Sequence, residues 1–116
     1  MKMEIKFRGK HLNKWIYGYL LKNIDDNKYY ISVSLDQFYQ VKEETIGQYT
    51  GLKDKNGVEV YEGDKVKAKF YGKEVAGEIG FNSGCFLLWN SCVSDNQLFI
   101  FTDIEVIGNV YENEVD

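Results

Sequence analysis

Three residues in this 116-residue chain carry the side chains most often used for covalent or metal chemistry: His11, Cys85 and Cys92. His11 lies in the basic stretch GKHLNK, with no carboxylate or nucleophile beside it in sequence, and reads as a solvated loop residue rather than a general base. Cys85 and Cys92 have six residues between them. That is neither a Cys-x-x-Cys redox motif nor the paired spacing of zinc ligands, and they read as free thiols of a cytosolic protein. A zinc site needs three or four N or S ligands, which these residues supply only if folding gathers all of them. The EGD stretch, Glu62–Asp64, has two carboxylates around a glycine but lacks the recurring acidic spacing of a calcium loop, and it reads as a turn. No phosphate-binding loop, GxGxxG or GxSxG is present. The chemistry-bearing residues therefore imply no catalytic residue, no metal site and no cofactor.

Binding is the better class. Lys65, Lys67, Lys69 and Lys73 form a basic stripe with Tyr71 beside it, and Lys53 to Lys73 holds six lysines against four acids. Small β folds bind single-stranded nucleic acid with such lysines and aromatics on one face. The same row also serves as a solvated face that discourages strand pairing. A net charge of −4 and a pI near 5.0 oppose tight non-specific nucleic-acid binding. Aromatics make up 16% of the chain, and the tyrosines, phenylalanines and tryptophan of NKYY, QFYQ and LLW are candidates for a protein-binding patch. Charge is uneven along the chain. Met1 to Lys14 carries five basic residues and one acid, whereas everything from Asn90 onward carries six acids and no Lys or Arg. Either the two ends lie side by side as complementary strands, or they associate head to tail with a second copy.

Strand periodicity runs throughout. Met3, Ile5 and Phe7 alternate with charged residues, and Trp15, Tyr17 and Tyr19 alternate with Ile16, Gly18 and Leu20 over Trp15–Leu21. Further strands are expected at Lys28–Val33, Thr45–Thr50, Val58–Tyr61, Lys65–Phe70, Val75–Phe81, Cys85–Trp89, Leu98–Thr102 and Ile104–Tyr111. Ser34–Val41 is ambiguous, with Ser34 and Gln37 placed to cap a short helical turn. Asn56-Gly57 is the strongest short hairpin signal and predicts a type I′ turn. Gly77 and Gly80 inside one strand predict a bulge or a sharp bend. The expectation is one all-β domain of eight to ten short antiparallel strands. In it an N-terminal meander, 1–46, packs on a part spanning 47–116 that resembles an SH3-like barrel.

The stretch GQYTGLKDKNGVEVYEGDKV (Gly47–Val66), the closing EVIGNVYEN (Glu105–Asn113) and the opening IKFRGKHLNKWIYG (Ile5–Gly18) together resemble the YopX family of small phage and prophage proteins. The match departs after Arg8, where family members often have Ala-Trp-Asp and this chain has Gly9-Lys10-His11. The resemblance implies an all-β fold and no defined catalytic residues. Its matching positions include Gly47, Gln48, Tyr49, Thr50, Gly51, Asp54, Gly57, Tyr61, Gly63, Asp64, Gly108, Asn109 and Tyr111.

These readings converge on a non-enzymatic phage accessory protein of the host cytoplasm, without membrane association, that binds a host or phage protein or a second copy of itself. The alternative is a single-strand nucleic-acid binder using the Lys65, Lys67, Lys69 and Lys73 face. Candidate contact residues are Gln48, Tyr49, Asp64, Lys65, Lys67, Lys69, Tyr71 and Lys73. The glycines and remaining motif positions read as structural.

Overall fold

The computed structural model describes residues 4–82, 84–89, 96–98 and 101–111. Among them are eleven strands and one 3₁₀ turn: β1 Phe7–His11, β2 Lys14–Asn23, β3 Lys28–Ser34, β4 Gln37–Val41, the 3₁₀ turn Glu43–Thr45, β5 Gly47–Lys53, β6 Glu59–Tyr61, β7 Asp64–Phe70, β8 Lys73–Asn82, β9 Cys85–Trp89, β10 Asn96–Gln97 and β11 Thr102–Asn109. The chain divides into two compact units, residues 1–51 and 52–116. No described helix is long and apolar enough to cross a membrane.

In the first unit the strand order is β4-β3-β2-β1-β5, and β1–β2, β1–β5, β2–β3 and β3–β4 pair antiparallel. The alternation along β2 sets its two faces. Directly opposed residues of antiparallel strands share a face, so Ile16, Gly18 and Leu20 lie with Phe7, Gly9, Ile31, Tyr39 and Val41. This inner face holds the unit's buried aliphatics, Ile31 and Val41. The sheet curls towards it. Val41 reaches across to Gly9, where a Cβ would stand 2.8 Å from the Val41 Cβ. The Lys42 N–H donates to the Lys10 carbonyl at 3.0 Å, and the Lys10 N–H donates to Thr45 Oγ1 at 2.8 Å. His11 Nδ1 lies 2.7 Å from the Gln40 carbonyl, a contact that requires a proton on Nδ1. These single bonds occupy the end of the β4 edge, but no ladder joins β4 to β1 and the sheet stays open.

In the second unit the end of β5 turns back through Asp54–Val58 into β6, and a sheet runs β10-β9-β8-β7-β11. Its core is Val60, Val66, Ala68, Ile79, Leu88, Leu98 and Phe101, flanked by Phe70, Val75, Phe86, Ile104 and Val106. Each such side chain, fully buried, contributes about 1.5–3 kcal/mol.

Several expectations are corrected. The all-β class holds, but the SH3-like barrel does not, because no sheet closes. β10 and β11 stand at opposite ends of the second sheet. Within Ser34–Val41, Ser34 ends β3 and Gln37–Val41 form strand β4, not a helical turn. Among the described residues, the basic strand β1 is flanked by β2 and β5 while the acidic strand β11 pairs with β7, so these two strands do not pair with each other. Gly77 and Gly80 make no bulge, because the register from β7 through β8 to β9 is continuous across both. They are small because neighbours come close: the Trp89 ring lies over Gly80, and Leu88 and the Trp89 carbonyl crowd Gly77.

The turns differ too. Asn56-Gly57 is not a type I′ turn, since Gly57 has positive φ, +81°, and Asn56 does not. The Asp54 carboxylate accepts the N–H groups of Asn56 and Val58 at 2.8 and 2.9 Å, which fixes a three-residue loop ending in a left-handed glycine. Two-residue loops with positive φ at both positions occur instead at Leu12-Asn13 (49° and 67°) and Tyr71-Gly72 (49° and 80°). Leu12 is a poor residue for this place, being 81% exposed and strained. Leu12→Asn is expected to stabilise the protein by about 0.5–1 kcal/mol. The check is a rise in the urea midpoint at unchanged m, and a fall would contradict the turn assignment.

Candidate functional site

The lysine row is regular, and carboxylates stand opposite it on both neighbouring strands. Lys65, Lys67 and Lys69 are exposed along β7 and alternate with buried Val66 and Ala68. Across one side, Lys65 opposes Glu78 and Lys69 opposes Glu74 on β8. Across the other, Lys67 opposes Glu105 on β11, and Lys69 Nζ lies 3.4 Å from Asp103 Oδ2. Carboxylates thus interleave with the amines. Lys73 is exposed opposite Phe70, and Tyr71 stands 89% exposed at the tip of the β7–β8 hairpin with its ring edge against Phe70.

The polar residues of the central stretch are tied into the backbone. Asp64 is buried and accepts the Tyr61 N–H at 2.8 Å through Oδ2, and it opposes Asn109 on β11. Asn109 is also buried, and its Oδ1 accepts the Tyr111 N–H at 2.9 Å. Gly63 donates to the Ile79 carbonyl and accepts from Val110 N–H, both at 2.9 Å. Tyr61 is buried with its hydroxyl donating to Glu59 at 2.9 Å. Asp54 adds a long-range bond: its Oδ2 accepts the Val106 N–H at 2.9 Å from 52 residues away. The central and closing motifs therefore meet at Asp54 and again at Asp64–Asn109. Burial works to raise the Asp54 pKa. The three backbone N–H groups, from Val106, Val58 and Asn56, outweigh it with Lys55 adjoining, and they hold the carboxyl below its ordinary range. In the first unit, Gly47 is buried opposite Arg8, Gln48 is half-buried opposite Phe7, and Tyr49 and Thr50 are buried, with Lys6 Nζ 5.7 Å from the Tyr49 ring. Gly51 and Gly108 both have positive φ.

His11 packs on Tyr39 with ring centroids 5.4 Å apart, and Cys85 is half-buried. Cys92 lies outside the described residues. Among the described residues no three His, Cys, Asp or Glu side chains group as a metal site would require.

A further exposed surface lies on the first sheet. On the outer face of β1–β4, the register aligns Lys10 with Trp15, Arg8 with Tyr17, Tyr19 with Ser32 and Phe38, and Leu21 with Tyr30 and Gln40. Arg8 and Tyr49 are buried towards β5, but Tyr17, Tyr19, Leu21 and Phe38 are 45%, 67%, 43% and 51% exposed. Ser32 is small and leaves a dip between Tyr19 and Phe38. Beside it, Leu21, Lys22, Asn23, Tyr30 and Phe38 line an open cleft of about 490 Å³. The Tyr30 hydroxyl donates to Asp26 at 2.6 Å, and that bond lowers the Asp26 pKa and raises that of Tyr30. The exposed half of QFYQ thus belongs to this face, while the tyrosines of NKYY are half-buried.

The family described as YopX protein has a model that matches residues 6–115 of this chain. No curated protein matches it.

Proposed function

We propose, from the premise that this chain belongs to the YopX family, that it is a non-enzymatic phage or prophage accessory protein acting by binding through the outer face of β1–β4. The observation that carries this reading is the run of Tyr17, Tyr19, Leu21 and Phe38, large side chains left in solvent on one sheet face. Isolated exposed hydrophobics are ordinary, but a contiguous set marks a contact surface. The alternative, nucleic acid on the lysine row of β7, is weakened by the carboxylates opposite each of Lys65, Lys67 and Lys69.

The double substitution Tyr19→Ser with Phe38→Ser tests the face. Both residues are exposed, so the fold should survive, as circular dichroism would establish. Host-cell capture and light scattering are then run on both proteins. Partners or oligomers held by the parent and lost by the double variant support the assignment. Equal retention by both proteins counts against it.

A further inference from the structure

The outer face sets an aromatic row beside a cationic one. Along β2, Trp15, Tyr17 and Tyr19 project at alternate positions, spaced roughly 7 Å apart by strand geometry. On β1, Lys10 stands opposite Trp15 and Arg8 opposite Tyr17. The Arg8 guanidinium lies 4.4 Å from the Trp15 ring and the Lys10 ammonium 5.4 Å from it. Arg8 is buried and props the indole, while Lys10 is half-buried and nearer the rim. On this face β1 and β2 hold Arg8 and Lys10 with no Asp or Glu among them, while Lys14 and Lys22 fall on the inner side with Ile16, Gly18 and Leu20. That is the reverse of β7 and its neighbours.

Charge is divided in the same way at a larger scale. Residues 1–51 carry eight Lys and Arg against six acids, whereas residues 52–116 carry six against twelve. The net charge of −4 is the sum of a basic unit and a more strongly acidic one. Acidity of the whole chain therefore gives no reason to exclude a polyanion from the first unit, where the local field decides.

We infer that this face binds single-stranded nucleic acid. Bases stack on Tyr17 and Tyr19, Trp15 closes the row, and Lys10 contacts phosphate. The inference rests on the reading that the outer face is the contact surface. A single strand fits where a duplex does not: its bases offer free π-faces to exposed rings, whereas a duplex stacks them inward and is read by elements that enter a groove. The ring spacing of roughly 7 Å is about twice the 3.4 Å rise per stacked nucleotide, so an extended strand can place one base per ring. Phe38, across Ser32 from Tyr19, widens the platform.

Fluorescence anisotropy with a labelled oligo-dT of about twelve nucleotides, long enough to cover an OB-sized site, tests the inference. Tyr19→Ala should weaken binding roughly tenfold, the loss of one stacked base. Lys10→Ala should weaken it several-fold and make the salt dependence shallower by about 0.7, the contribution of one single-strand phosphate contact. Lys67→Ala should leave it unchanged, and duplex DNA should compete poorly. Absence of binding at low salt would overturn the inference, as would binding lost in Lys67→Ala but kept in Tyr19→Ala. If oligo-dT fails while the Tyr19→Ser, Phe38→Ser protein loses a protein partner or an oligomer, the nucleic-acid inference falls and the contact face stands.

Discussion

Asp54→Ala is expected to destabilise the protein by roughly 3–5 kcal/mol, from three charge-assisted bonds lost at once. One carboxylate satisfies the N–H groups of Asn56, Val58 and Val106. Its removal frees the hairpin loop and detaches β11 from it, leaving the adjacent Lys55 N–H bond to the Ile104 carbonyl and the Lys55–Glu105 ion pair to hold the two together. A total stability of about 5–15 kcal/mol leaves little margin for that loss. Asp54→Asn separates charge from shape. The amide oxygen keeps the Asn56 and Val58 bonds, but its NH₂ faces the Val106 N–H, donor against donor, at a cost of roughly 2–3 kcal/mol. The pH dependence follows from the lowered pKa of Asp54. The unfolded chain binds this proton at about 3.9, the folded chain only at lower pH, so the stabilisation is complete above that value and lost as pH falls through the folded pKa. Urea unfolding at neutral pH and near pH 3 should show the parent losing more stability than Asp54→Asn. Parallel losses in both proteins would mean that the carboxylate does not carry the link.

What could be read in the sequence was what alternation alone decides. The split of Trp15, Tyr17 and Tyr19 from Ile16, Gly18 and Leu20 is the split between outer and inner face, and Val66 and Ala68 point inward as their spacing requires. Register was not legible, and register decides most of the rest. Lys65, Lys67 and Lys69 look like a basic stripe until β8 and β11 bring carboxylates opposite them. The basic residues of β1 and the aromatics of β2 are each plain in the sequence, but only the Lys10–Trp15 and Arg8–Tyr17 pairing makes them one surface. Barrel closure depends on whether distant edges meet, which short strands and turn signals do not determine. At Asn56-Gly57 a local preference for a type I′ turn yielded to the Asp54 carboxylate, whose third bond comes from Val106, far beyond any sequence window. The glycines of β8 stand where Leu88 and Trp89 come close, and the ladder runs past them without a bulge.

Close approach also sets the second large effect, at Gly18. A Cβ there would lie 2.1 Å from the Ser32 carbonyl oxygen and 3.2 Å from Ile31 Cγ2. The nearest obstacle is backbone, held in the β2–β3 ladder by the Tyr19–Ser32 and Leu20–Ile31 pairs. No rotamer change relieves it, so β3 must move and the pairs beside it must distort. Gly18→Ala should therefore cost about 3 kcal/mol, the upper end for overpacking, even though alanine ordinarily suits an ordered strand better than glycine does. Gly9 provides the comparison. There the obstacles are the Cβ and methyl groups of Val41, at 2.8–3.1 Å. Val41 lies near the end of its strand and can yield by a small shift of that end, so Gly9→Ala should cost less, about 1–2 kcal/mol. Chemical denaturation of the two variants decides the matter. A Gly18→Ala protein as stable as the parent would mean that β2 and β3 do not approach as closely as the structure places them. Equal losses at both positions would mean that backbone and side-chain obstacles are equally yielding in this sheet. The expected ordering, Gly18 well above Gly9, follows from the glycine on β2 marking where the curled sheet brings two main chains together, beneath the strand that carries Tyr17 and Tyr19 on its other side.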